Sequence, residues 1–155
     1  MTVERSMSTH PVSRRPRAVR GRFTPLASLA LVRIFAAVLA LHGVAHFAGT
    51  GDSFGNARDG GSVEYLAGAW TVSDPSLLRL LGVLWALAGV AFLVAAVLTW
   101  TRSARWPCAV VGVAAASLVV VTVALPASLA GVLIDVALLA VAWRAGGFRR
   151  ERGQR

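Results

Sequence analysis

The sequence predicts an all-α protein, a four-helix antiparallel transmembrane bundle with both termini in the cytoplasm. Three observations lead there. The 155 residues are 56% hydrophobic and only 15% charged, where soluble domains carry about a quarter of their residues charged. Four apolar runs stand between polar connections. The arginines, finally, fall almost entirely on one side of the topology those runs imply.

The runs are Leu26 to Ala48, Leu77 to Trp100, Trp106 to Leu125 and Ser128 to Trp143, each near the ~20 residues that cross a ~30 Å hydrocarbon core. The fourth is the shortest. Thr24-Pro25 opens the first. Ser73-Asp74-Pro75 opens the second, with a capping side chain followed by proline at the first helical position, where a missing N–H costs nothing. The third and fourth runs as one helix would reach ~57 Å, nearly twice the core thickness, so they fold back as a hairpin. Leu125-Pro126-Ala127-Ser128 supplies the break: proline disfavours helix at the residue before it, and Ser128 can cap the next helix. The chain thus divides into a disordered basic cytoplasmic tail (1–25), a membrane domain (26–144) with a long loop over 50–76, and a second basic tail (145–155).

Orientation comes from the arginines. All 16 basic residues are arginine, a usage typical of GC-rich bacterial genomes. With the N-terminus inside, the cytoplasmic segments hold 13 of the 16: six from Arg5 to Arg22, then Arg102 and Arg105, then five from Arg144 to Arg155. The loop from Thr50 to Ser76 lies outside, with Asp52, Asp59, Glu64 and Asp74 against the single Arg58. Arginine-rich short segments resist translocation, so this asymmetry sets the topology of a multi-pass protein of the bacterial cytoplasmic membrane. Ser13-Arg14-Arg15 superficially resembles a twin-arginine export signal. Against that stand the further arginines and Pro25 before the apolar run, the length of the run, and the lack of a small-x-small cleavage site after it. The basic tails instead lie against anionic headgroups, at ~1 kcal/mol per arginine near the surface. Nucleic acid is a poorer partner, because no aromatic residue is interleaved among the arginines before Phe23.

The outer loop is glycine-rich early and then places Val63, Leu66 and Trp70 at helical spacing, with Tyr65 beside them. The expectation is a short interfacial helix with Tyr65 and Trp70 at headgroup level, which could also cap a cavity. Gly51-Asp52-Ser53-Phe54-Gly55 reads as a turn; no histidine outside the membrane is available as a base for Ser53. The single cysteine, Cys108, excludes an intrachain disulfide and is expected as a small core filler.

Arg33, His42, His46, Arg79 and Asp135 lie within or at the ends of the spans, where a charged group costs several kcal/mol unless it snorkels, pairs or is neutral. Arg33 and Arg79 are near enough to the span ends to snorkel. His42 and His46, four residues apart, share a helical stripe with Phe35, Leu39 and Gly49, and Arg33 falls roughly opposite. His42 in the first span and Asp135 in the fourth are each about seven residues from the outer end, hence level at ~10 Å depth. An Asp135 carboxylate facing His42 or His46 satisfies both partners, and Arg79 is a second candidate partner for Asp135. This polar clasp between helices needs no cofactor. Haem is disfavoured: two histidines one turn apart approach an iron from the same side, and His10, Met1 and Met7 are all in the tail. A two-histidine, one-carboxylate metal site from His42, His46 and Asp135 is a further option. So is proton-coupled or quinone-binding chemistry, since histidine ordinarily titrates near neutral pH.

Gly82-x3-Ala86, Gly112-x3-Ala116 and Ala127-x3-Gly131 are small-x3-small patterns that permit close helix approach. Ser117 and Thr122 are expected to bond back to their own helix.

Leu31-Val32-Arg33, then Leu41-His42-Gly43-Val44-Ala45-His46-Phe47, a glycine-containing outer loop, and Leu81-Gly82-Val83-Leu84-Trp85 together resemble a group of short four-span bacterial membrane proteins of unassigned activity. The first span is more distantly similar to DoxX-type proteins, whose first helix also begins with arginine and carries a glycine near its outer end. The likeness covers roughly residues 29 to 144, with its specific part in the first span. It implies a four-helix membrane fold and an association with quinone-linked oxidation or redox partners, although the chain lacks the cysteine pair of a redox enzyme. The leading expectation is an accessory or assembly subunit without evident catalytic machinery, acting as a homo-oligomer or beside a membrane partner subunit. The alternatives are a redox or quinone-linked component using His42, His46 and Asp135, and a small proton-coupled permease acting as an oligomer.

Overall fold

The computed structural model describes residues 25–125 and 128–153. The expected basic tail before Pro25, with His10, and Pro126-Ala127 of the expected break lie outside the described residues. Helices dominate: α1 (Pro25–Asp59), α2 (Pro75–Trp100), α3 (Trp106–Val123) and α4 (Leu129–Gly153), with a hairpin of β1 (Val63–Tyr65) and β2 (Trp70–Val72) between α1 and α2. Three helices are long and apolar enough to cross a membrane: Leu29–Asp59, Pro75–Trp100 and Trp106–Val123. The apolar part of α4 is shorter, interrupted by Asp135 and ended by Arg144.

The first helix departs most from expectation. It runs through the glycine-rich stretch read as loop, so Gly51 to Gly55 is helical and not a turn. Glycine costs ~1 kcal/mol per residue in a helix interior, but packing outweighs it here. Ser53 and Phe54 lie against Gly82, and Ala57 packs in a cluster with Tyr65, Val72 and Leu78. The true stop is Asp59-Gly60-Gly61. Gly60 takes φ +71°, and the Gly61 N–H returns to the Asn56 carbonyl at 2.9 Å, a left-handed cap that glycine adopts without a Cβ penalty.

The interfacial helix expected over 63–70 is a two-stranded antiparallel hairpin, with Val63 opposite Val72 and Tyr65 opposite Trp70. Residues two apart on a strand, and residues paired across it, share a face, so Val63, Tyr65, Trp70 and Val72 stand on one side; Tyr65 and Val72 are buried there, while Trp70 stays exposed beside the Tyr65 ring. The tip is tied down by the Ala67 N–H, which donates to the Leu125 carbonyl at 2.8 Å, so the hairpin is latched to the end of α3.

The start of α2 is as expected. Pro75 opens it and the Asp74 carboxylate accepts from the Leu77 N–H at 2.8 Å. Replacing Asp74 with alanine is expected to lower stability by ~1 kcal/mol and asparagine by much less, read as thermal midpoints of detergent-purified protein. Ser128 acts differently from expectation: its hydroxyl donates to the Val121 carbonyl and ties the α3–α4 turn back to α3.

Contacts between α1 and α2 run in order along both helices. Arg33 lies over the Trp100 ring at 5.3 Å, Gly43 meets Gly89, Gly49 meets Trp85 and Ser53 meets Gly82. At Gly43 and Gly89 a Cβ on either glycine would stand 2.9 Å from the other's carbonyl oxygen, so the backbones touch. Of the expected small-residue patterns, Gly82 is used, Gly131 faces Val121, and Gly112 faces open space. This backbone-to-backbone contact of α1 with α2 thus belongs to glycines in no such pattern. α4 packs along α3 and α2 touches α3. Leu39, Phe92, Val110, Ala114, Leu138 and Ala142 form the core where the four helices meet. Cys108, expected inside, is exposed, because α3 turns Pro107, Val110, Ala114 and Ser117 inward instead.

Candidate functional site

Two imidazoles on α1 are the centre of the site. His42 and His46 are one helical turn apart on the buried face, 6% and 2% exposed, and their rings meet edge to face at 4.8 Å. Neither bonds within α1 through its side-chain Nε2. His42 Nε2 reaches Asp135 Oδ1 on α4 at 2.9 Å, and His46 Nε2 reaches Ser117 Oγ on α3 at 2.8 Å. Asp135 and Ser117 are fully buried. Since α1 packs on α2 and not closely on α3 or α4, these two bonds are polar cross-links from one half of the bundle to the other.

The structure therefore brings His42, His46 and Asp135 together and leaves Arg79 apart. Arg79 borders an exposed groove with Gly51, Phe54 and Arg58. Ser117 is a site residue that its sequence context assigns to its own helix; Thr122 does bond back, to the Leu118 carbonyl at 2.6 Å. Phe92 carries no expectation from the sequence. It stands edge-on to both imidazoles, with centroids 4.7 Å from His42 and 5.3 Å from His46, while Trp85 meets His46 at 5.3 Å. A signal exists in the spacing: Trp85, Gly89 and Phe92 fall at i, i+4, i+7 and so line one face of α2.

His42 and Asp135 meet each other directly while His46 turns to Ser117. Among the described residues no group of three or more His, Cys, Asp or Glu is placed to hold a metal ion. The arrangement suits hydrogen bonding and proton exchange. When Asp135 accepts at Oδ1, His42 carries its proton on Nε2 and its Nδ1 is an acceptor. With both ring nitrogens protonated, Nε2–H still donates to the carboxylate and Nδ1 becomes an N–H donor. The second carboxyl oxygen, Asp135 Oδ2, is buried and has no hydrogen-bond partner among the described residues, a condition that costs ~1–3 kcal/mol.

Beside the pair is a cavity of about 380 Å³ lined by His42, His46, Tyr65, Trp85, Gly131 and Ile134, among others. The β1 strand forms its cover, so the loop does cap a cavity, as a hairpin and not a helix. Ala45 on α1 and Ala130 and Ile134 on α4 line it and are themselves exposed, as are Asp52 and Glu64 at the hairpin end, so the cavity has an exposed apolar edge of α1 and α4 residues and an exposed acidic edge under the hairpin. Its interior is mostly apolar, and the imidazoles and Ser53 are its buried polar groups.

Comparison with family models, with curated proteins and with solved structures finds no match to this chain. Function must therefore be read from the geometry of the site itself.

Proposed function

We propose that this is a four-span antiparallel membrane bundle with both termini in the cytoplasm, which binds a lipophilic small molecule bearing a hydrogen-bonding ring, in a quinone-linked role. The observation that carries the reading is the placement of both histidines on the wall of a mostly apolar cavity, each oriented by a buried partner from another helix. The exposed apolar edge formed by Ala45, Ala130 and Ile134 suits a ligand dissolved in the bilayer. The DoxX-type resemblance of the first span points to the same class. A quinone carbonyl accepts a hydrogen bond and a quinol hydroxyl donates one. The His42–Asp135 pair offers a donor or an acceptor at His42 Nδ1 according to whether it holds the extra proton. Apolar walls with a few oriented polar groups are the usual make-up of a small-molecule site.

The test uses Trp85, which lines the cavity beside His46. Titrating detergent-purified protein with ubiquinone-1 is expected to quench tryptophan emission saturably, and Trp85→Phe removes most of the saturable part. His42→Gln and His46→Gln each weaken binding roughly ten-fold through loss of one oriented hydrogen bond. Linear, unsaturable quenching that ignores both histidines defeats the reading.

A second reading rests on the same two bonds seen as ties between helices. In it the pair is a structural clasp in an accessory or assembly subunit, and the protein folds through His42 and His46 without binding the quinone. Quinone binding by folded wild-type protein separates the two.

A further inference from the structure

The two arginines that the topology leaves at the hairpin end, Arg58 and Arg79, are twenty-one residues apart in sequence, yet they border one groove with Gly51, Phe54 and Gly55. The fold brings them together because Arg58 lies in the last turn of α1 and Arg79 near the start of α2, and those ends are adjacent. Gly51 and Gly55, four apart on one face of α1, have open space where a Cβ would be, so the floor of the groove is smooth backbone. Arg58 Nε donates to Asp59 Oδ1 at 3.0 Å between two exposed side chains, a weak tie that leaves the guanidinium free to turn toward the groove. No carboxylate is paired with Arg79 among the described residues.

Below each arginine runs an exposed apolar stripe. On α1, Phe54, Phe47 and Val44 follow Arg58 at three- and four-residue steps, with Gly51 between them; on α2, Val83, Val90, Val94 and Val97 continue beneath Arg79, and all of these large side chains are exposed. Helical periodicity puts each set on the same face as its arginine. Charge at the membrane boundary above a long apolar seam matches one molecular shape, an anionic phosphate with acyl chains hanging from it.

We propose that the α1–α2 groove at the hairpin end is a specific binding site for an anionic glycerophospholipid, its phosphate held between Arg58 and Arg79 and an acyl chain laid along the seam. Guanidinium groups recognise phosphate oxygens through paired N–H donors in a fixed fork. This site is separate from the histidine cavity and rests only on the membrane-spanning part of the proposed function.

The experiment is native mass spectrometry of full-length protein released from micelles containing equal phosphatidylglycerol and phosphatidylcholine. Wild type is expected to retain one phosphatidylglycerol in preference to phosphatidylcholine by roughly ten-fold, the effect of one charge-assisted paired contact. Arg58→Gln with Arg79→Gln removes the preference; Arg102→Gln with Arg105→Gln, at the opposite end, keeps it. Both pairs are exposed, and an unchanged thermal midpoint shows that each variant is folded. Inorganic phosphate at millimolar concentration is expected to leave the adduct in place. An equal preference in the Arg58/Arg79 variant, or loss of the adduct to inorganic phosphate, overturns the proposal. Protein that retains neither lipid also overturns the proposal, whereas recovery of the expressed chain outside the membrane fraction overturns the membrane reading, a distinct result.

Discussion

His42→Leu destabilises the protein by about 3–5 kcal/mol, and adding Asp135→Leu to it restores most of that loss. The asymmetry arises because the two effects differ in size. A hydrogen bond between membrane helices is worth on the order of 0.6 kcal/mol net. The partner it leaves behind is far more expensive. Asp135 has one oxygen on His42 Nε2 at 2.9 Å and the other already without a partner, so removing His42 strips a fully buried carboxyl of its only side-chain hydrogen bond among the described residues. Two leucines in their place leave nothing to satisfy, and the volume they add lies beside a cavity able to take it. Asp135→Leu alone is expected to cost less, ~1–3 kcal/mol, since it orphans an imidazole that has a second face on the cavity. A double-mutant cycle, measured by reversible unfolding in mixed micelles, reads the coupling directly. If the double variant is as unstable as the sum of the two single ones, the clasp has no energetic reality.

Gly89→Leu gives the other large effect, ~3 kcal/mol or more, and Gly89→Ala a smaller loss of the same sign. A Cβ at Gly89 would stand 2.9 Å from the Gly43 carbonyl oxygen and 3.1 Å from the Phe47 ring. Alanine is better than glycine in a helix by ~1 kcal/mol, whereas overpacking costs ~1–3 kcal/mol, and backbone cannot step aside as a flexible side chain does. The control is Gly112→Leu, which meets nothing within 4 Å and should be neutral. Separating α1 from α2 at Gly43 also shifts the neighbouring turn of α1, so Gly89→Ala is expected to weaken quinone quenching even though residue 89 does not line the cavity. Equal midpoints for the 89 and 112 variants contradict the contact.

Much of the helical framework was readable because it depends on local rules. Asp74-Pro75 starts α2 by the chemistry of its own side chains, and long apolar runs become helices wherever backbone groups must be satisfied within the segment. That Asp135 stands level with the two histidines was readable from their positions in the apolar runs, but which imidazole it takes was not, since His42 and His46 share one face. The extension of α1 to Asp59 was not, because glycines argue locally against helix and the packing of Ser53 and Ala57 that overrides them is with residues far along the chain. Nor was the hairpin: Val63, Leu66 and Trp70 fit a helical period while Val63 and Tyr65 fit a strand, and in so short a segment only the cluster of Ala57, Val72 and Leu78 decides which face is buried. Ser117 illustrates the same limit, since a hydroxyl on a helix bonds its own backbone unless a better acceptor or donor faces it.

Composition and spacing were sufficient for the apolar helical character of the chain and for the face on which both histidines stand, because hydrophobicity and a 3.6-residue period act through near neighbours. Which glycines touch, which partner each imidazole takes, and that a cavity remains beneath the hairpin were settled only by packing. Each of these depends on contacts between residues distant in sequence, where displacements of an ångström separate a hydrogen bond from an orphaned group.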